Sequence, residues 1–140
     1  MASDTTTHYV VAGPGNTLAY SRQKPAGPAP AKAPPPTPSQ QLLSGSVAPL
    51  SVDVAVDPTT GNPCVSFLKK SGGKDTGVYV ACLDTTWSFS KDGDIETLAG
   101  MDAAGHTTRL RVDSAGKLHL IYQVQAGSGA TLRYAMCSKP

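Results

Sequence analysis

The residue types able to do chemistry are few and scattered. Arg109 and Arg111 stand two apart in "TRLRV", so on an extended strand both guanidinium groups project from one face, where together they can hold a carboxylate. An exposed strand edge is the plainer reading of the same spacing. Tyr9, Trp87 and Tyr134 offer flat rings able to stack on a ligand, and burial between layers is the competing use of each. His8, His106 and His119 are candidate bases or ligands, but no spacing among them defines a metal site. The acids Asp92, Asp94 and Glu96 form the one dense acidic cluster and read as a turn between strands. No nucleophile of the G-x-S-x-G type occurs: "SGSVAPLS" has the wrong spacing. The glycines of "AGPGNT" and "AGSGAT" join two strands rather than a strand and a helix, which argues against a phosphate loop. The expectation is therefore no catalytic residue, no metal and no cofactor, with Trp87, Tyr9, Arg109, Arg111 and Tyr134 as the candidate ligand-binding residues.

Three cysteines cannot pair completely within one chain, and their spacing fits neither a CxxC redox site nor a zinc site. Cys64 and Cys82 face each other in the hairpin register derived below. They are candidates for a cross-strand disulfide, or for two small thiols filling an apolar layer.

The elements that must position these residues are written as a repeat. "VAVDPTTGNPCVSFL" from Val54 aligns with "LRVDSAGKLHLIYQ" from Leu110 with one gap, matching Asp57 to Asp113, Gly61 to Gly116 and Phe67 to Tyr122. "GVYVACL" then aligns with "TLRYAMC", a period of about 55 residues. The stretch "HYVVAGPGNTLAYSR" from His8 resembles "HLIYQVQAGSGATLRYAM" from His119 and gives a partial third copy. A full unit reads as four short strands: Val52 to Asp57, Pro63 to Lys69, Val78 to Leu83, and one opening at Trp87 that breaks near "KDGD". All are short, β-branched or aromatic, and bounded by Gly, Pro, Asn and Asp. Asp57 and Asp113 are expected to close their turns on nearby backbone amides.

Pairing the second and third of these strands sets Phe67 opposite Tyr79, Val65 opposite Ala81 and Cys64 opposite Cys82. One face then carries Cys64, Ser66, Leu68, Val78, Val80 and Cys82; the other carries Val65, Phe67, Tyr79 and Ala81. Neither face is the charged side of a solvated sheet, so both must be covered. Sheets repeated radially, each sandwiched between neighbours, meet that demand.

With its Asp–turn–Gly corners at Asp57/Gly61 and Asp113/Gly116 and its Trp87, the unit resembles the blades of bacterial β-propellers of the sialidase-like and lectin-like repeat families. That resemblance implies an all-β fold of four-stranded antiparallel propeller-type blades. It also implies a lectin-like binding module. The Asp box of true sialidases is not reproduced, because "SKDGD" carries its glycine one position early, and this argues against sialidase activity. The first copy lacks its opening strand and the last its closing one, so the chain holds about two and a half blades where propellers have four or more. The expected organisation is a partial blade over 1–23, a Pro-rich linker over 24–41, a blade over 42–100 and a partial blade over 101–140. Missing strands are expected to come from further sequence or from another copy, by strand exchange in a homo-oligomer.

Composition agrees with this class. Charged residues are 16% and net charge is +2, with no basic stripe, which points away from nucleic acid. No apolar run reaches the ~18 residues of a membrane helix. The start, "MASDTTTHYVV", shows neither a basic n-region nor an apolar h-region, and the compartment stays open. Seven prolines crowd "KPAGPAPAKAPPPTPSQQ", a polyproline-like spacer rather than a ladder strand. The functional expectation is a non-catalytic propeller-type module binding glycan or protein, multivalent through assembly. The alternatives are part of a glycoside-hydrolase-like enzyme, which needs paired carboxylates about 5 to 9 Å apart, or a purely structural assembly subunit.

Overall fold

The computed structural model describes residues 6–13, 17–23, 40–43, 47–71, 74–91, 95, 101–102, 107–126 and 129–140. His106, Asp92, Asp94, Glu96 and most of the Pro-rich segment lie outside the described residues. Within them every regular element is a strand, and all pairings are antiparallel.

Among the described residues, eleven strands form three sheets. The N-terminal sheet is ordered β1 (Thr7–Gly13), β2 (Thr17–Gln23), β3 (Gln40–Leu43). The central sheet is ordered β4 (Val47–Val56), β5 (Pro63–Ser71), β6 (Lys74–Leu83), β7 (Trp87–Phe89), and the short β8 (Met101–Asp102) also pairs with β6. The C-terminal sheet is β9 (Thr108–Val112), β10 (Leu118–Ala126) and β11 (Gly129–Cys137), with β10 in the middle.

The hairpin register is the expected one: Cys64 pairs with Cys82, Val65 with Ala81 and Phe67 with Tyr79. Because strand side chains alternate, this register sorts the two faces of the central sheet cleanly. Val65, Phe67, Tyr79 and Ala81 bury against Leu18 of the N-terminal sheet, with Val10, Val52, Val54 and Trp87 at the margin. Cys64, Leu68, Val78, Val80 and Cys82 bury against Leu110, Leu118, Leu120 and Tyr122 of the C-terminal sheet. Ser66, on that same face, is buried and its hydroxyl meets the buried Thr108 hydroxyl at 3.0 Å, so the two polar groups satisfy each other inside the layer. The central sheet is thus covered on both faces.

Three boundaries differ from the sequence reading. Residues 40–43 were expected to close the linker and open the second unit; instead β3 pairs with β2 and adds a third strand to the N-terminal sheet. Polar Gln40 and Gln41 give little strand signal, and the pairing supplies what propensity does not. The first strand of the central sheet runs from Val47 rather than Val52, with a register irregularity between them. Finally, the fourth-strand edge of β6 is shared by two pieces: β7 flanks Ala81 to Leu83, and β8 flanks Lys74 and Asp75.

The repeat is visible in the corners. After β4, Asp57 Oδ1 accepts the Thr59 amide at 2.7 Å and the Thr60 amide at 3.4 Å, and the turn closes at Gly61 with φ of 73°. After β9, Asp113 Oδ1 accepts the Ala115 and Lys117 amides at 2.9 and 2.8 Å, closing at Gly116 with φ of 76°. A carboxylate that ties down its own turn, followed by a residue in the left-handed region, is the same local solution used twice. The corners also touch: the Thr59 hydroxyl donates to the Ser114 carbonyl at 3.2 Å.

Candidate functional site

The outer face of the C-terminal sheet gathers side chains from all three of its strands. Register places Arg109, Ile121 and Tyr134 in one row, and Arg111, His119 and Met136 in the next. Leu132 lies beside them, paired with Gln123. The inward residues of the same strands, Leu110, Leu118, Leu120 and Tyr122, are core. The outward ones are not: Leu132 is 71% exposed, Tyr134 and Met136 60%, Ile121 44%. An aliphatic–aromatic surface of this kind, edged by two arginines, marks an interaction site far more often than bare solvent-facing sheet does.

A hydrogen-bonded chain runs along its edge. Asp113 Oδ2 meets His119 Nε2 at 3.0 Å, and His119 Nδ1 meets the Tyr134 hydroxyl at 2.7 Å. A carboxylate only accepts, so Nε2 donates to Asp113, and in the neutral ring Nδ1 accepts from the phenol. The bond from His119, with help from the Lys117 and Ala115 amides, holds the Asp113 carboxyl below the usual carboxylate range. The arrangement fixes the Tyr134 ring on the surface, its centroid 6.1 Å from that of His119. The chain thus ties the Tyr134 hydroxyl to the Asp113 corner through His119.

The arginines are steered by their own strand. Arg109 Nη1 donates to the Thr108 carbonyl at 3.1 Å and Arg111 Nη1 to the Leu110 carbonyl at 2.6 Å. Asp53 of β4 reaches across to β9: its Oδ2 accepts the Leu110 amide at 2.8 Å and lies 3.8 Å from Arg111 Nη1. Both side chains thereby start from fixed points beside the apolar patch, leaving further guanidinium donors for a partner.

Of the five sequence candidates, Arg109, Arg111 and Tyr134 come together on this face. Trp87 does not join them. It is half-buried at the opposite interface, edge-on to Tyr20 with ring centroids 5.1 Å apart and 70° between planes. The backbone of Tyr9 pairs with Ser21 in the N-terminal sheet, and its side chain lies outside the description. Cys64 and Cys82 are joined by a disulfide buried in the layer between the central and C-terminal sheets, with Cα atoms 4.1 Å apart, while Cys137 packs half-buried against the same core.

Sequence reasoning missed four contributors: Ile121, Leu132, Met136 and His119. Leu132 and Met136 read as ordinary strand apolars, and only the absence of a covering layer makes them surface. The His119–Tyr134 bond is diagonal, because His119 pairs with Met136 and Tyr134 lies two residues before it. The signal available was the repetition itself: His8 pairs with Arg22, Tyr20 lies two before Arg22, and His8 Nδ1 meets the Tyr20 hydroxyl at 2.7 Å.

A concavity of about 340 Å³ lies at the corner end between Thr60, Asn62, Leu83, Asp84, Ser88 and Lys139. Its Lys139 is committed to structure: the ammonium bonds buried Asp57, which ties the C-terminal segment to the central sheet. Among the described residues no cluster of three or more His, Cys, Asp or Glu side chains is placed to hold a metal ion, and no helix is long and apolar enough to cross a membrane. No protein-family model, curated protein or solved structure matches the chain.

Proposed function

We propose that the chain is a non-catalytic binding module built from propeller-type blades, and that the outer face of its C-terminal sheet takes a glycan or protein ligand. The observation that carries this reading is the union of Arg109, Arg111, Ile121, Leu132, Tyr134 and Met136 on one exposed face, with Tyr134 held by His119. Rigid aromatics with aliphatic neighbours supply contact area at low entropy cost, and guanidinium groups supply directional bonds at the rim. Propeller-type blades explain why three sheets are stacked with a repeated Asp–turn–Gly corner and a covered central layer.

The test is a screen of immobilised glycans and of candidate protein ligands with the wild-type chain, Tyr134→Ala and Arg109→Ala/Arg111→Ala. The reading expects at least one ligand, and a loss of about tenfold or more in its affinity for each variant. Binding that survives all of these substitutions, or hydrolysis of a chromogenic glycoside panel, would contradict it.

A further inference from the structure

The N-terminal and C-terminal sheets carry the same face, and the fold treats the two copies oppositely. His8 and Tyr20 are bonded at 2.7 Å with ring centroids 6.0 Å apart and 31° between planes; His119 and Tyr134 are bonded at 2.7 Å with centroids 6.1 Å apart and 33° between planes. The repeat register matches Val10 to Ile121, Leu18 to Leu132 and Tyr20 to Tyr134. In the N-terminal sheet this face is pressed onto the central sheet, where Leu18 is 0% and Tyr20 5% exposed. In the central sheet the corresponding face, that of Cys64 and Val80, is pressed onto the C-terminal sheet. Each sheet therefore gives the same face to the next sheet in chain order. The C-terminal sheet has that face ready and no next sheet among the described residues.

We infer that a second copy of this chain supplies it. The occupant of the outer face is the N-terminal sheet of another copy, docked by the side that carries Ala19 and Ser21. This inference rests on reading the outer face as a binding surface, and it names the protein ligand. The contact continues the internal stacking rule: in the repeat register Ala19 and Ser21 stand where Tyr79 and Ala81 stand on the central sheet, the surface that already receives Leu18. Ala19 and Ser21 are small, uncharged and half-exposed, so Leu132 and Tyr134 can approach closely and the Arg109/Arg111 pair meets no like charge at these two positions. Two outer faces pressed together would instead set the Arg109/Arg111 pair against an identical cationic surface, which is unfavourable. The resulting contact is heterologous, head to tail, and closes into a ring if the rotation per copy allows.

The experiment mixes two single-cysteine chains in a Cys137→Ser background, one with Leu132→Cys and one with Ala19→Cys. They are treated with a bismaleimide spanning about 10 Å, the separation of packed sheets. The native Cys64–Cys82 disulfide stays unreactive. The expected result is a covalent dimer in the mixture and none in either chain alone. Dimers of the Leu132→Cys chain alone would show face-to-face pairing and overturn the inference, as would the absence of any cross-link. The glycan screen separates the two levels. No cross-link together with ligand binding that depends on Tyr134 overturns self-docking alone. No cross-link and no Tyr134-dependent ligand overturns the binding-face reading as well.

Discussion

Asp57 is the most constrained ionisable residue described. Its side chain is 2% exposed, its Oδ1 accepts two turn amides, and its Oδ2 takes the Lys139 ammonium. That ion pair, with the Thr59 and Thr60 groups, holds the carboxyl at about 2 against an ordinary value of 3.8, overcoming the upward push of burial. The folded state therefore binds this proton less readily than the unfolded chain. The stabilisation is fully present above about pH 4 and is lost as pH falls through 2. Urea midpoints measured from pH 6 down to pH 2 should fall steeply for the wild type in the lower part of that range and less steeply for Asp57→Asn. At neutral pH that variant should be less stable by roughly 1–3 kcal/mol, because the ammonium and both turn amides lose a charged acceptor. Gly61 tests the same corner from the backbone side. A Cβ there meets nothing within 4 Å, so the cost of Gly61→Ala is conformational and should be about 1–2 kcal/mol. A thermal melt reads it. Both corner residues were legible in the sequence, because an Asp followed by a glycine across a short turn is local chemistry. Lys139 was not, since its partner lies 82 residues away and only the folded chain brings them together.

At the scale of elements, the β5–β6 hairpin shows why some pairings can be read from residues and others cannot. Both of its faces are apolar, so the pattern does not distinguish registers; the length of a hairpin loop over Ser71 to Asp75 sets the expected one, and the strands keep it from Cys64–Cys82 to Lys69–Gly77, beyond which a shift lets Ser71 pair with Lys74. β3 and the divided edge of β7 and β8 carry no such pattern. Gln40 and Gln41 are polar, and β8 is two residues long, so these strands exist by virtue of the neighbour that receives them. The disulfide across β5 and β6 closes a loop of 18 residues within the central sheet. Reduction, or Cys64→Ala/Cys82→Ala, should lower stability by roughly 3 kcal/mol, read as a shift in urea midpoint with little change in slope. Equivalent tyrosines give a sharper contrast. Tyr20 is buried against Trp87, and burial raises its phenol pKa above the ordinary 10.0 despite the nearby Arg22 charge; Tyr134 occupies the same repeat position in solvent. Tyr20→Ala should cost about 3 kcal/mol or more of folding stability, whereas Tyr134→Ala, compared at a dilution where both chains are monomeric, should stay within about 0.5 kcal/mol. Calorimetry of the two variants side by side checks both.

At the scale of the whole molecule, the same repeat face is buried at both internal sheet interfaces, and among the described residues no further sheet lies on the outer face of the C-terminal sheet. The candidate site could not be read from sequence for the same reason: Leu132, Tyr134 and Met136 look like their buried counterparts, and only the arrangement of layers reveals them as surface. The chemistry of the face was partly legible, because Arg109, Arg111 and Tyr134 stood out by type. The divergence of Trp87 from them was not, because it depends on which interface each strand enters. Completion of this open face by another copy of the chain would make the protein a multimer in solution. Light scattering after size exclusion, across a range of concentrations, tests it most directly. The account predicts a discrete multimer of integral chain number for the wild type, and a monomer of unchanged circular dichroism for Leu132→Asp/Tyr134→Asp. A wild-type chain that remains monomeric at the highest concentration, or a double variant that assembles as the wild type does, would contradict it.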